Sequence, residues 1–232
     1  MKAKHLILLV LTIAIQNAAH AANINAKVIF EGAAPELKKV DFSADPHCSA
    51  LHPDGLLSEE VVVNSNGTLK NVFVYVKEGL EGKTFTPPAE PVILDQKGCW
   101  YEPHVFGIQV NQPLEIVNSD NTLHNVHSLA AENKGFNLGM PIQGMKLRKS
   151  FSKPEVMAKF KCDVHPWMAS YVGVLEHPFY SVTNGEGTFE IKDLPPGNYV
   201  IETWHEKYGL QSQSVSLETA DSSASIELKY TS

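Results

Sequence analysis

Lys161-Cys162-Asp163-Val164-His165-Pro166-Trp167-Met168-Ala169-Ser170-Tyr171-Val172-Gly173-Val174-Leu175-Glu176-His177 sets Cys162, His165 and Met168 at C-x2-H-x2-M spacing on one short loop. β-rich runs flank that loop, Met157 to Lys161 before it and Val172 to His177 after it. A thiolate, an imidazole and a thioether held together are the mixed soft ligands that copper favours. A trigonal site of two imidazoles and one thiolate, with a weak axial Met, needs one more imidazole. Leu114 to Asn125 (LEIVNSDNTLHN) supplies it from a different strand end: a strand, a polar turn, then His124, 38 residues before Cys162.

The pattern N-x-D-x-x-x-H-N, followed by a strand-loop-strand C-x2-H-x2-M, resembles the cupredoxins, over roughly Val92 to His177. Cys162-Asp163-Val164-His165-Pro166-Trp167-Met168 is most similar to the short ligand loop of amicyanin, where Pro follows the loop His. The resemblance implies a type 1 copper centre with His124, Cys162 and His165 equatorial and Met168 axial. It implies that Asn125 ties the two ligand loops together. It also implies a partly exposed His165 through which electrons pass, beside a dry docking surface at Pro166 and Trp167. The amicyanin-like loop hints at a dehydrogenase as electron donor.

Other readings of the same residues are weaker. Cys162 and Met168 are types that often serve only as buried packing, but four ligands in order on two loops make that a poor account. Zinc prefers several Cys or His, and a thioether suits it badly. A binuclear purple-copper site requires a second Cys on the loop, and this loop has one. His104 and His127 are the candidates for a second metal site, with Cys99 as a rival partner for His104. His127, three residues after His124, faces away from it if the segment is a strand. Met140 and Met145, in the Gly-rich loop Asn137 to Met145, are soft atoms but more often fill core gaps.

Cys48 and Cys99 remain, on the loop-like stretches Asp45-Pro46-His47-Cys48 and Gly98-Cys99-Trp100. In an oxidising compartment two of three cysteines pair, and a Cys48–Cys99 disulfide is expected. It would restrict the unfolded chain by roughly 2–4 kcal/mol.

The C-terminal third carries a second resemblance. Thr183 to Tyr199 (TNGEGTFEIKDLPPGNY) has an N-G turn, an F-x-I strand, L-P-P-G and a following Tyr. It looks like the regulatory-like β-sandwich found beside carboxypeptidases, in which Pro-Pro-Gly turns the chain between antiparallel strands. Candidates for the opening strands of that sandwich, Ala26 to Gly32 and Leu69 to Val76, precede the copper segment. The expected organisation is therefore 22–90, N-terminal strands belonging to the regulatory-like sandwich; 91–177, the copper unit; and 178–232, the rest of the sandwich. The copper unit is inserted into the sandwich or packed on its edge; two sequential domains is the alternative. Trp204-His205-Glu206-Lys207-Tyr208-Gly209 reads as a surface loop in preference to a contact with the copper unit.

Across 232 residues the strand signals, Glu60 to Val63 among them, are short and turn-marked. Asn66-Gly67, Pro87-Pro88 and Asn184-Gly185 punctuate them. Val72 to Val76 is continuously apolar, as a strand buried on both faces is, and Thr188 to Lys192 alternates. The fold class is all-β: a cupredoxin-like Greek-key sandwich plus a second, smaller β-sandwich. A formal charge of −7 excludes the clustered basic surface that nucleic-acid binding needs. Lys2 and Lys4, an apolar run from Leu6 to Ile15 and Ala19-His20-Ala21 read as a signal peptide cleaved after Ala21. That run spans about 15 Å as a helix, too short for a bilayer. The mature chain is then acidic, periplasmic or secreted, and not stably inserted in a membrane.

No Ser-His-Asp order, phosphate loop or haem motif stands out. The expected function is a one-electron carrier holding one copper, not an enzyme, serving a redox protein partner such as a dehydrogenase, cytochrome or oxidase. The alternatives are a copper-delivery protein without an electron-transfer role and a copper enzyme with an open coordination site.

Overall fold

The computed structural model describes residues 22–218 and 223–231. The signal peptide read at 1–21 lies outside the described residues. Within them the elements run β1 (Ala22–Glu31), α1 (Pro46–Leu51), β2 (Phe73–Glu78), β3 (Val92–Gln96), β4 (Tyr101–Glu102), β5 (Val105–Gln109) and β6 (Leu114–Asn118). They continue with β7 (His124–Ser128), β8 (Phe136–Met140), β9 (Lys146–Lys149), β10 (Glu155–Lys161) and β11 (Ala169–Leu175). The series closes with β12 (Tyr180–Val182), β13 (Thr188–Leu194), β14 (Gly197–His205), β15 (Gly209–Leu217) and β16 (Ser223–Thr231). The protein is all-β, built as two sandwiches. No helix among the described residues is long and apolar enough to cross a membrane.

One sandwich joins the sheet β13-β1-β16 to the sheet β12-β2-β14-β15. Its strands follow the burial the pattern demands. Val72 to Val76 are all buried, and β13 alternates, hiding Phe189, Ile191 and Leu194 on its inner face. Ile24, Val28, Leu69, Val74, Ile201 and Leu228 fill the space between the sheets. The other sandwich joins β5-β11-β10-β7-β8 to β4-β3-β6-β9 over a core that includes Leu94, Ile108, Leu114, Ile116, Phe160 and Val172. Its nine strands all fall between β2 and β12 in the chain.

The two sandwiches meet at a third apolar cluster containing Phe73, Tyr75, Val105 and Leu175. Gly107 and Gly173, paired across β5 and β11, make the close approach possible. A Cβ on Gly107 would sit 2.3 Å from the Tyr180 ring, and one on Gly173 2.3 Å from the Phe73 ring. The absent side chains are slots for aromatics of the neighbouring sandwich.

Asn137 to Met145 is not all loop, because Asn137 to Met140 lie in β8, and three more segments depart from the sequence reading. Glu60 to Val63 is not a strand; Val63 makes only an isolated bridge to Leu69. Asp45 to Leu51 is not a plain loop. Asp45 caps a six-residue helix, accepting from the backbone N–H groups of His47 and Cys48, with Pro46 in the first turn. Trp204 to Gly209 is not simply a surface loop. His205 ends β14 and is buried, and Glu206 reaches the other sandwich, 2.5 Å from His104 Nε2.

Candidate metal centre

β6 leads into the turn that carries Asp120, and β7 starts at His124. The loop between β10 and β11 carries Cys162 and His165, and β7 pairs with β10, so the two stretches lie side by side. Their ring nitrogens and sulfur converge: the ligand atoms of His124, Cys162 and His165 lie within 4.8 Å of one another, all three residues buried. His124 Nδ1 is 2.9 Å from His165 Nδ1, and Cys162 Sγ is 3.8 Å from His165 Nδ1.

The outer nitrogens decide what the inner ones are. His124 Nε2 sits 2.9 Å from Asp120 Oδ2, and His165 Nε2 sits 2.9 Å from Asp45 Oδ2. Both carboxyls are held below their ordinary range. Asp45 is lowered chiefly by His165; for Asp120, burial pushes upward but His124 and the Cys99 and Gly98 N–H groups outweigh it. An ionised carboxylate only accepts, so each imidazole donates from Nε2. A neutral ring that donates from Nε2 presents a bare lone pair at Nδ1. Two such lone pairs 2.9 Å apart, with a sulfur alongside, repel unless a cation or proton lies between them. A carboxylate on the far nitrogen of a ligating His is also how metal sites fix the tautomer.

The sulfur fits the same account. Burial raises the Cys162 thiol pKa, but His124 and neighbouring backbone N–H groups outweigh it and favour the thiolate. The His165 N–H donates to Sγ at 3.3 Å. His124 is shifted up, because Asp120 and Cys162 outweigh its burial; His165 is shifted down, burial and the His124 charge outweighing Asp45.

Met168 is fully buried in the apolar cluster that also holds Cys162. Its N–H donates to the His165 carbonyl at 2.9 Å, and its carbonyl accepts from the Cys162 N–H at 3.2 Å, which closes the loop. Asn125 joins the two ligand stretches: its Oδ1 accepts from the Asp163 N–H at 2.7 Å, and its Nδ2 donates to Asn137 and Asp163. Cys48 and Cys99 form the disulfide.

One expectation is overturned. His165 is 1% exposed, not a partly exposed ligand. Asp45 closes off its outer nitrogen, with Cys48 alongside. Pro166 stays exposed, whereas Trp167 is half-buried, edge-on to Phe42 and donating to the Cys99 carbonyl at 3.0 Å. His104 and His127 are not brought together. His104 pairs with Glu206, and His127 Nδ1 lies 3.0 Å from Asp163 on the surface. Neither belongs to the metal-sized clusters among the described residues. Met140 is a core residue whose sulfur accepts from Gln96.

Sequence reasoning missed Asp45 and Asp120 as partners of the imidazoles. Asp120 sits inside the N-x-D-x-x-x-H stretch, and Asp45-Pro46 carries the signature of a helix start.

A protein-family model described as "BOS complex subunit NOMO1-like, second beta sandwich domain" matches residues 178–231, the stretch whose motifs resemble the regulatory-like sandwich. No curated protein matches the chain. Among solved structures, a Cu-containing nitrite reductase from Thermus scotoductus SA-01 is 24% identical at a TM-score of 0.36, over 43% of this chain and 25% of that one. The chain thus spans a quarter of that enzyme's length. A purple cupredoxin from Nitrosopumilus maritimus is 22% identical at 0.31, over 35% of this chain and 97% of that one. A Cu(I) amicyanin mutant is 21% identical at 0.33, over 36% and 81%. What the residues of this chain assemble by themselves is a buried pair of imidazoles and a thiol, with a carboxylate behind each ring.

Proposed function

We propose that the chain is a mononuclear type 1 copper protein that carries single electrons. The observation that supports this is the facing pair of Nδ1 atoms beside Cys162 Sγ, each ring anchored from behind by a carboxylate. Two imidazoles and one thiolate, with a thioether as weak fourth ligand, suit copper better than zinc. His124, Cys162 and His165 would hold the ion, with the Met168 thioether as a further soft donor. Bound copper supplies a one-electron Cu(II)/Cu(I) couple.

The protein's part is to keep the donors still. Asp120 and Asp45 fix the ring orientations, and Asn125 fixes the loop carrying Cys162 against β7. Donors held this way need little rearrangement between oxidation states. Burial keeps water from the rings. The site works in an exported, acidic protein, and the electron partner is another redox protein.

The test is the visible and EPR spectrum of the full chain after one equivalent of Cu(II). The expected result is an intense thiolate-to-copper band with compressed hyperfine splitting, abolished in Cys162→Ser, together with a reversible one-electron wave. A pale, ordinary Cu(II) spectrum overturns the type 1 reading. Added azide that binds the metal directly would favour an enzyme with an open position over a carrier.

A further inference from the structure

The two carboxylates behind the imidazoles are joined to each other through the disulfide. Asp45 takes His165 on Oδ2, while its Oδ1 accepts the Cys48 N–H at 3.2 Å. Asp120 takes His124 on Oδ2, and the same oxygen accepts the Cys99 N–H at 2.7 Å. Cys48 and Cys99 are bonded, and both are 0% exposed. The contacts therefore form a closed circuit, from His165 through Asp45, Cys48, Cys99 and Asp120 to His124 and back across 2.9 Å to His165.

Segment 40–52 makes half of that circuit and packs against Cys99 and Trp167. Phe42 lies edge-on to Trp167 at 5.1 Å and stacks on His52 at 4.8 Å. His52 Nε2 donates to the Gly98 carbonyl at 2.6 Å, and Ser49 donates to the Phe42 carbonyl at 2.7 Å. The segment contributes no strand to either sandwich; what holds it is this polar and aromatic set and the disulfide.

We propose that residues 40–52 are a latched cap: Asp45 positions His165, and the Cys48–Cys99 bond holds the segment shut, so that reagents reach Cys162 and the two imidazoles only when it lifts. The proposal builds on the reading of this cluster as a metal site, and its test is run without metal so that the two fail separately. Asp45 is a positioning residue, acting through the His165 ring.

Cys162 is the free thiol of the described chain, so its alkylation by iodoacetamide in the metal-free full chain reports access. The Cys48→Ser/Cys99→Ser double variant is expected to label at least tenfold faster than wild type. Phe42→Ala, which keeps the disulfide, is expected to label several-fold faster, and it decides the matter if the double variant fails to fold. Leu69→Ala, in the core of the other sandwich, is the control for general loosening. Labelling of Phe42→Ala no faster than wild type, or no faster than Leu69→Ala, overturns the cap. For Asp45, imidazole 15N shifts read the His165 tautomer. Nε2–H is expected in wild type and in Asp45→Asn, whose amide oxygen still accepts, and a mixture in Asp45→Ala. An unchanged tautomer in Asp45→Ala overturns the positioning role.

Discussion

His205 in one sandwich and His124 in the other are both buried imidazoles, 1% and 0% exposed, with opposite electrostatic fates. His205 stacks on Tyr208 at 5.0 Å and lies 6.0 Å from Tyr230. Its Nδ1 accepts the Lys207 N–H at 3.1 Å. Burial pushes its pKa down to about 4, so it stays neutral. His124 is buried as deeply, yet Asp120 and Cys162 outweigh the desolvation and shift it upward. Burial alone makes an inert ring. A carboxylate on the outer nitrogen, and a second bare nitrogen across the gap, make a site that calls for a cation or a proton between the rings.

The comparison breaks most visibly at Asp120. Replacing it with Ala strands His124 and the Gly98 and Cys99 N–H groups that it accepts. Losing one member of a buried ionic set costs about 3–5 kcal/mol, read as a lower denaturant midpoint. Metal affinity should also fall by roughly 10–100-fold, as for other partners behind ligating histidines. Unchanged stability and affinity would show that Asp120 is a bystander.

A pH series sharpens the other side. His205 has a lower pKa folded, about 4, than its ordinary value of 6.5, so between those values the unfolded chain binds more protons. Stability is intact above about pH 6.5, declines as pH falls, and is lower by on the order of 3 kcal/mol below about pH 4. Unfolding curves of wild type and His205→Met should therefore diverge in that window, the variant showing the flatter acid limb. Parallel limbs would mean that His205 is not buried as a neutral ring.

The smallest of the three effects is ligand linkage. Copper at a hundredfold above its dissociation constant should stabilise the chain by about 2.7 kcal/mol. That gain, seen as a higher melting temperature, should vanish in His124→Ala and persist in His205→Met. Retention of the gain in His124→Ala would place the ion elsewhere.

The strands that alternate or run apolar, such as β13 and Val72 to Val76, are legible because hydropathy reports their burial directly. β7 and β8 are not. His124-Asn125-Val126-His127-Ser128 carries too little apolar patterning to decide between strand and loop, yet His124 and Asn125 are buried, because they serve the site and not the apolar core. Cys162, His165 and His124 were legible because their spacing carries chemistry. The cap was not, since the partner of Asp45 lies 120 residues away and a six-residue helix has too few turns to show a periodicity. The buried state of His165 followed the cap out of sight.

The parallel pairing of β1 with β16 bears on the order of assembly. Asn23 pairs with Ser223 and Glu31 with Thr231, contacts about as long-range as the chain permits and therefore slow to form. The nine strands between β2 and β12 are contiguous and have all their partners by the time Leu175 has been made. β1, emerging first, has only the bridge between Ile29 and Thr68 until β13 and then β16 arrive. Until then one of its edges is open and the other is paired only from Val28 to Phe30, the kind of segment that invites wrong partners. The sandwich that carries His124, Cys162 and His165 can be finished while its neighbour is still waiting to close.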